Sequence, residues 1–412
     1  MKTDRIYRTN QYKKTNLSRV CGIREKDGCD VISCASSVFF PEGGGQPSDT
    51  GRVTLNGQFY DIVHAYDEDP EGDVWHITNA PAGTFRQDDE VTLEIDMDGR
   101  MTNMQRHLGE HMLSGTFHSL FGGVNRGFHM GSDYITIDID LDGRMLMSDE
   151  LALAESKVNE AIRADLPVSI SWFDDYESSL VMPVRKQVPH EGRISVVTVG
   201  DPSDPYDCIA CCGTHPSHSS EVGLVAIYKC EPNKGMNRIF FDCGSKAREK
   251  LSADSRLLSD IAKRYSCSPS DLISRLDAEA ESISDLRSRA AALSAYVRDV
   301  EKVRILSELS QNTSLSGTSY TYSTDILTVD ELLKLGFSVI SETKDLLLIM
   351  MHPQSSTCLL FSSGTLSCGK LIKEHAGDHG GRGGGRDDNA RAVFKSARDM
   401  KSFAKALAEM VE

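Results

Sequence analysis

Between residues 7 and 95 the apolar positions come in short runs of period two. Residues 7–23 alternate, residues 31–40 form a strand-like run that ends at Pro41, and Val91-Thr-Leu-Glu-Ile95 alternates as a half-buried strand does. Leu55-Asn-Gly-Gln-Phe-Tyr60 sets Asn-Gly between apolar flanks, the signature of a type I′ hairpin, whose two central residues need positive φ. Short strands at this spacing predict a small β-barrel. From residue 96 the period changes. Residues 101–121 carry helical spacing, with Met104, Leu108, Met112 and Leu113 among the apolar positions. Residues 134–139 read as a strand. Ser148-Asp-Glu opens a helix through Val158 and Ile162, with Ser148 as cap and acids at the positive helix end. Strands follow at 168–173, 194–199, 224–228 and 238–241, which predicts an α+β domain with a sheet and two main helices.

Residues 250–309 read as helix. Ser268-Pro-Ser-Asp271 is a helix start, with Ser as cap and Pro in the first turn. Leu272, Leu276, Ile283, Leu286, Ala290, Leu293, Val297 and Val300 then recur at spacings of three and four, with Glu279 as the polar interruption. About four heptads suit a coiled-coil arm or a dimer element; an amphipathic helix packed on its own domain fits as well. Beyond 310, Leu346-Leu-Leu-Ile-Met-Met351 and Cys358-Leu-Leu-Phe361 are continuous apolar runs of the kind found in buried strands. A Gly380–Arg386 glycine-rich loop and a closing helix from about Asn389 complete a last α/β unit. The expected organisation is a multidomain α+β chain: a barrel over 1–95, an α+β domain over 96–247, a helical linker over 248–309 and an α/β domain over 310–412.

Composition narrows the classes. At 412 residues, with 39% hydrophobic and 26% charged residues, each domain can bury a core. No apolar run approaches the ~20 residues needed to span a bilayer, and Met1-Lys2-Thr3-Asp4-Arg5 has no apolar segment behind it, so neither a membrane span nor a signal peptide is expected. Eleven cysteines, an odd number, point to a reducing, cytoplasmic setting with free or metal-bound thiols. A formal charge of −16 excludes a protein coated in basic surface, but a local positive groove still binds phosphates.

The candidate chemistry lies in two ligand pairs. His107-Leu-Gly-Glu-His111 puts two imidazoles on one helical face, and Cys211-Cys-Gly-Thr-His215 repeats the spacing with a thiolate and an imidazole. Three imidazoles and one thiolate suit zinc. By chemistry alone Cys208 or Cys212 could supply the sulfur; Cys211 is preferred because its spacing to His215 matches the histidine pair. Glu110, just before His111, also completes the H-x-x-E-H pattern of inverzincin peptidases, where it would be the general base and a downstream glutamate (Glu155, Glu160, Glu177 or Glu191) the third ligand. Gly43-Gly44-Gly45 lets backbone approach a ligand, and Gln46 and Asp49 offer hydrogen bonds to a hydroxyl or amine.

Gly43-Gly-Gly-Gln-Pro-Ser-Asp-Thr-Gly51, the histidine pair and the C-x-G-T-H run, in that order, resemble the editing domain of alanyl-tRNA synthetase and its free-standing relatives, the AlaX-type alanyl-tRNA editing proteins. Phe128-His-Met-Gly131, the strand from Ile135 to Asp138 and Lys234-Gly-Met-Asn-Arg-Ile239 are similar to the same family. Residues 380–391 resemble the glycine-rich motif of the synthetase's C-terminal domain. No nucleotide-activating domain precedes these motifs, so the resemblance is to the long free-standing form. It implies ATP-independent, zinc-dependent hydrolysis of an aminoacyl ester on tRNA(Ala) mischarged with serine or glycine, for translation fidelity. It also implies Zn2+ on His107, His111, Cys211 and His215. Gln46, Asp49 and Glu110 fall at the reaction, with Gly43, Gly44, Gly45, His129, Arg238, Arg382 and Arg386 on the substrate or tRNA. A homodimer through the helical segment or C-terminal domain is the expected assembly. Cys212 stands where the family usually has Gly, and Leu108 and Glu110 replace smaller or neutral residues. A zinc-stabilised tRNA-binding protein without turnover is the remaining class.

Overall fold

In the computed structural model, which describes residues 2–187, 192–311 and 318–411, Asn56 and Gly57 take φ of 50° and 82°, the type I′ geometry of a two-residue hairpin. That hairpin joins two strands of a closed, antiparallel six-stranded barrel. Its strands are β1 (Thr15–Lys26), β2 (Cys29–Cys34), β3 (Gly51–Leu55), β4 (Gln58–Asp67), β5 (Val74–Pro81) and β6 (Glu90–Ile95), in the order β1-β2-β5-β4-β3-β6. Alternate residues such as Val53, Ile62, Val91, Leu93 and Ile95 fill it. The run 31–40 is a strand only as far as Cys34. Beyond the short Ser36–Ser37 pairing, side chains replace strand partners: Val38 N–H donates to Asn16, Phe39 N–H to Ser37 and Phe40 N–H to Asp49. An apolar run shows burial, not which group takes each amide.

Helix α1 (Met97–Phe121) starts where the Asp96 carboxylate accepts the amides of Asp98 and Gly99, and stops at Gly122, whose φ of 69° is left-handed. Its residues from Met104 to Phe117 are almost all buried, because elements cover it on several sides. These elements are β7 (Val124–Met130), β8 (Ile135–Asp140), α2 (Ser148–Arg163), β9 (Val168–Phe173), β10 (Ile194–Asp201), β11 (Asp204–Ala210), β12 (Val225–Asn233) and β13 (Met236–Cys243). The strands form two antiparallel sheets, β12-β13-β8-β7 and β9-β10-β11, rather than one. Ser148 is the first helical residue of α2, not its cap; the capping contact is made by Glu150, whose carboxylate accepts the Met147 amide. Leu108, Met112, Leu113 and Phe117 pack with Val158, Ile162, Ile137 and Ile239 in the main core.

The chain divides into two compact units, Met1–Ile261 and Ala262–Glu412, with the boundary inside helix α3 (Gly244–Arg264). In the second unit α4 (Leu272–Gln311) is 40 residues long and follows the expected Ser268-Pro269 start as a 3-10 turn. The sheet there runs β14 (Thr318–Ser323), β15 (Leu346–His352), β16 (Thr357–Ser362), β18 (Asn389–Val393) and β17 (Arg382–Gly385), with β14 parallel to β15 and the rest antiparallel. Both apolar runs are fully buried strands. Leu347 and Ile349 face α6 (Cys368–His375) and α7 (Ala397–Val411). Leu346, Leu348 and Met350 face α5 (Val329–Ile340) and the end of α4. The glycine-rich stretch is an exposed edge strand, not a loop, and the closing helix begins at Ala397. Residues 389–393 alternate in burial, and period two makes them a strand.

Candidate metal centre

Helix α1 carries His107 and His111 one turn apart, while Cys211 and His215 follow β11. The Cys211 amide donates to Ser195 O (3.0 Å) and its carbonyl accepts from Ser195 Oγ (2.5 Å), so β10 pins the thiol-bearing residue. The ligand atoms of His107, His111, Cys211 and His215 all lie within 4.8 Å of one another. Cys211 Sγ is 3.3 Å from His107 Nε2 and 3.6 Å from His215 Nε2. Tetrahedral zinc with ordinary Zn–N and Zn–S bonds puts sulfur and nitrogen about 3.5 Å apart, a spacing that the Cys211–His107 and Cys211–His215 pairs match. His111 Nε2 is buried with no hydrogen-bond partner, as an unused ligand atom would be.

Gln46 orients the first ligand. Its Oε1 accepts the Thr214 amide (3.0 Å), its Nε2 donates to Thr214 Oγ1 (2.8 Å), and Oε1 lies 2.8 Å from His107 Nδ1. An amide oxygen accepts only, so Nδ1 carries the proton and Nε2 keeps its lone pair for the centre. Gly213 permits this approach: a Cβ there would lie 2.3 Å from His107 Cε1. Gly45 has φ +82° and backs onto Phe128, where a Cβ would sit 2.6 Å from the ring.

Glu110 is buried beside His111, with Oε2 3.0 Å from Nδ1 in an ion-pair contact short of a well-aligned hydrogen bond. Its Oε1 accepts from Ser114 Oγ (2.6 Å) and Asn125 Nδ2 (2.8 Å). Burial opposes charge throughout this set, and specific partners override it at Cys211, His111 and Glu110 but not at His215. The three imidazoles hold the Cys211 thiol well below its ordinary value. Against burial, Cys211 and Glu110 raise His111 to about 10, and His111 brings Glu110 down to about 2. Burial lowers His215 to about 4 and pushes the Cys212 thiol up to about 11, so of the two adjacent thiols it is Cys211 whose surroundings favour the thiolate. Cys208, also raised by burial, contacts Thr198 instead.

A cavity of about 340 Å³ reaches the centre and is lined by Gly44, His107, Glu110, His111, Phe128, Cys211 and Cys212, together with Arg8, Pro70, Glu71, Trp172 and Arg193. Asp49 is not among its lining residues. The Asp49 carboxylate is ion-paired in the core with Arg100 and also accepts the Phe40 amide. His129 is exposed on β7, and Arg238 is paired with Asp138 at 2.8 Å; neither lines the cavity. Arg382 and Arg386 lie in the second unit, on and just beyond the exposed strand β17. No glutamate joins the cluster among the described residues. Glu155 accepts the Ile227 amide, Glu160 pairs with Lys157, and Glu177 sits in a short helical turn; Glu191 lies outside the described residues. Sequence reasoning missed Arg8, Trp172 and Arg193, which share no local pattern. No helix among the described residues is long and apolar enough to cross a membrane.

Residues 194–240, from β10 to β13 and including Cys211 and His215, match the family described as the threonyl and alanyl tRNA synthetase second additional domain. Over its length the chain resembles the long free-standing form of the alanyl-tRNA editing proteins. It is 26% identical to alanyl-tRNA editing protein AlaX-L of Pyrococcus horikoshii, covering 99% of this chain and 98% of that one. It is 25% identical to the alanine–tRNA ligase of Caldivirga maquilingensis and 24% identical to that of Methanobrevibacter smithii, over 88% and 97% of this chain, and spans only 39% and 44% of those ligases.

Proposed function

We propose that this chain is a trans-editing aminoacyl-tRNA hydrolase that removes serine, and also glycine, from mischarged tRNA(Ala) without ATP, at a zinc site held by His107, His111, Cys211 and His215. The observation that carries this reading is the convergence of three imidazoles and a thiol, their ligand atoms within 4.8 Å of one another, beside a cavity that His107, His111 and Cys211 line. The similarity to the alanyl-tRNA editing protein along the whole chain supports it. A zinc ion bound there would polarise the ester carbonyl and favour ionisation of a water. The chain's own groups do the rest. Gln46 fixes the tautomer and ring of His107. Glu110 sits against Nδ1 of His111, where a carboxylate orients a ligand histidine and strengthens its donor nitrogen. Gly43, Gly44 and Gly45 leave room for the substrate backbone, and Asp49 acts at one remove, through Arg100, by holding the loop that carries Gln46. His129 and Arg238, and Arg382 and Arg386 in the second unit, are assigned to tRNA, the last two as phosphate contacts. Self-association through α4 or the C-terminal domain and a cytoplasmic location belong to the same reading.

The chemical need is discrimination. A site that binds alanine rejects serine, which adds a hydroxyl, or glycine, which lacks a methyl, only weakly, and a second hydrolytic site supplies the missing factor. The metallopeptidase reading needs Glu110 as a free base and a glutamate ligand; the Glu110 oxygens are engaged and the cluster contains no glutamate.

Purified protein, with and without chelator, is incubated with Ser-tRNA(Ala), Gly-tRNA(Ala) and Ala-tRNA(Ala). Metal-dependent loss of the seryl ester with the alanyl ester spared is expected. No deacylation by zinc-loaded protein would sink the reading. Hydrolysis that survives full zinc removal would remove the metal from it. A structural zinc in a tRNA-binding protein would instead show loss of fold on chelation and no turnover.

A further inference from the structure

The cavity lined by His107, His111 and Cys211 also contains an aromatic ring flanked by cations, which the proposed function does not use. Trp172 lies on β9 directly opposite Ser195 on β10, the residue whose backbone and hydroxyl pin Cys211. The indole is therefore carried by the same three-stranded sheet that fixes the thiolate. The Arg8 guanidinium is 4.8 Å and the Arg193 guanidinium 5.3 Å from the Trp172 ring centre. Arg8 is held in place by the Glu71 carboxylate and the Pro70 carbonyl, both at 2.8 Å. Among the described residues the one ion pair of Arg193 is a 3.8 Å contact with Asp174, whose side chain is 97% exposed, and its charge also acts on Glu71, so its tether is looser than the 2.8 Å contacts of Arg8. Among the residues that line this end of the cavity the charges are those of Arg8, Arg193 and Glu71, with the exposed Asp174 outside the lining.

We propose that Trp172, Arg8 and Arg193 form the subsite for the terminal nucleoside 5′-phosphate of the substrate RNA, with the base taking the place of the Arg193 guanidinium against the indole and the phosphate on the displaced Arg193. This rests on the reading that the metal centre acts on an aminoacyl ester of a ribose hydroxyl. An ester so placed brings its own base and 5′-phosphate within one nucleoside's reach of the centre, and the group to receive them must line the same cavity. Aromatic faces stack any base, and the planar guanidinium matches two phosphate oxygens at once. Arg8, already committed to Glu71 and Pro70, serves as a fixed wall, while Arg193 is the cation able to turn to the phosphate.

The chain has two tryptophans, so Trp75→Phe leaves Trp172 as the sole indole of the full-length, zinc-loaded protein. Its fluorescence is titrated with 5′-AMP, adenosine and inorganic phosphate. Quenching by 5′-AMP at lower concentration than adenosine, with loss of that advantage in Arg193→Ala, is expected; phosphate alone should do little. If Trp75→Phe does not fold, 19F resonances of the 5-fluorotryptophan-labelled parent, assigned with Trp172→Phe, give the same readout. In deacylation, Trp172→Ala should raise KM by about tenfold with kcat changed far less, and Trp172→Phe should recover most of it. If neither probe responds to 5′-AMP and Trp172→Ala keeps the parent KM while the parent hydrolyses seryl-tRNA, the subsite falls and the editing reading stands. If 5′-AMP is read at Trp172 but no aminoacyl-tRNA is hydrolysed, the nucleotide subsite stands and the ester chemistry falls.

Discussion

Glu110 carries the largest difference between two chemistries at the scale of one residue. As a general base it would need a lone pair directed at water; in the structure one carboxylate oxygen accepts from Ser114 and Asn125, and the other lies 3.0 Å from His111 Nδ1 in an ion-pair contact. Glu110→Gln is therefore expected to weaken zinc binding by about 10- to 100-fold, read by competition with a chromophoric chelator, and to slow deacylation only as far as zinc is lost. A rate collapse with zinc affinity intact would return the residue to general-base duty. His76 makes a separate case inside the barrel. It is fully buried, its Nδ1–H meets Ile32 O and its Nε2 accepts from Ser37, and burial lowers it to about 4 from 6.5. The unfolded chain binds the proton first, so this histidine's stability contribution is complete above pH 6.5 and is lost as pH falls from 6.5 towards 4. The full loss amounts to about 3 kcal/mol. Urea melts across that range should show a steeper acid decline for the parent than for His76→Gln; parallel curves would refute the assignment.

At the scale of elements, α4 separates two readings that its spacing left open. Its last turns behave as a packed amphipathic helix: Ile305 is buried, and Val297, Leu306 and Leu309 lie against the core of their own unit. The preceding heptads do not. Leu286 and Leu293 are 61% and 65% exposed, on a stripe with Leu276, Ile283 and Val300. Apolar rows of this length are what a helical partner covers. If a second copy covers it, sedimentation equilibrium should show dimers of the parent, and Leu286→Gln with Leu293→Gln should shift them to monomer while leaving the thermal unfolding of dilute protein nearly unchanged. A parent that stays monomeric at high micromolar concentration would exclude that assembly.

On the scale of the whole molecule, the cluster of His107, His111, Cys211 and His215 was legible because each half sets two ligand-type residues four apart, on α1 for the histidines and in the chain after β11 for Cys211 and His215. The barrel was legible because period two and Asn-Gly are local signals. What long-range packing alone decides was hidden. Asp49 looks like a ligand-binding acid until Arg100, fifty-one residues on, takes its charge. Residues 8, 172 and 193 meet at one cavity only after barrel and sheet are assembled. The glycine run, read as a loop, pairs as an edge strand because its neighbours alternate. Its arginines make the test at this scale. If Arg386 contacts a tRNA phosphate, Arg386→Ala should weaken tRNA binding and reduce the slope of log Kd against log salt by about one; an unchanged slope removes it from the interface.

Gln46 belongs to a loop of the barrel, yet its amide is what holds His107 and Thr214 in register. A fragment beginning at residue 96 would inherit all four ligands and lack the group that aims the first of them. In recombination with a gene that lacks this glutamine, a crossover near residue 95 should yield a misaligned centre even when both parents are active. The first 261 residues then form one unit of inheritance, and the breakpoints that preserve activity lie beyond it.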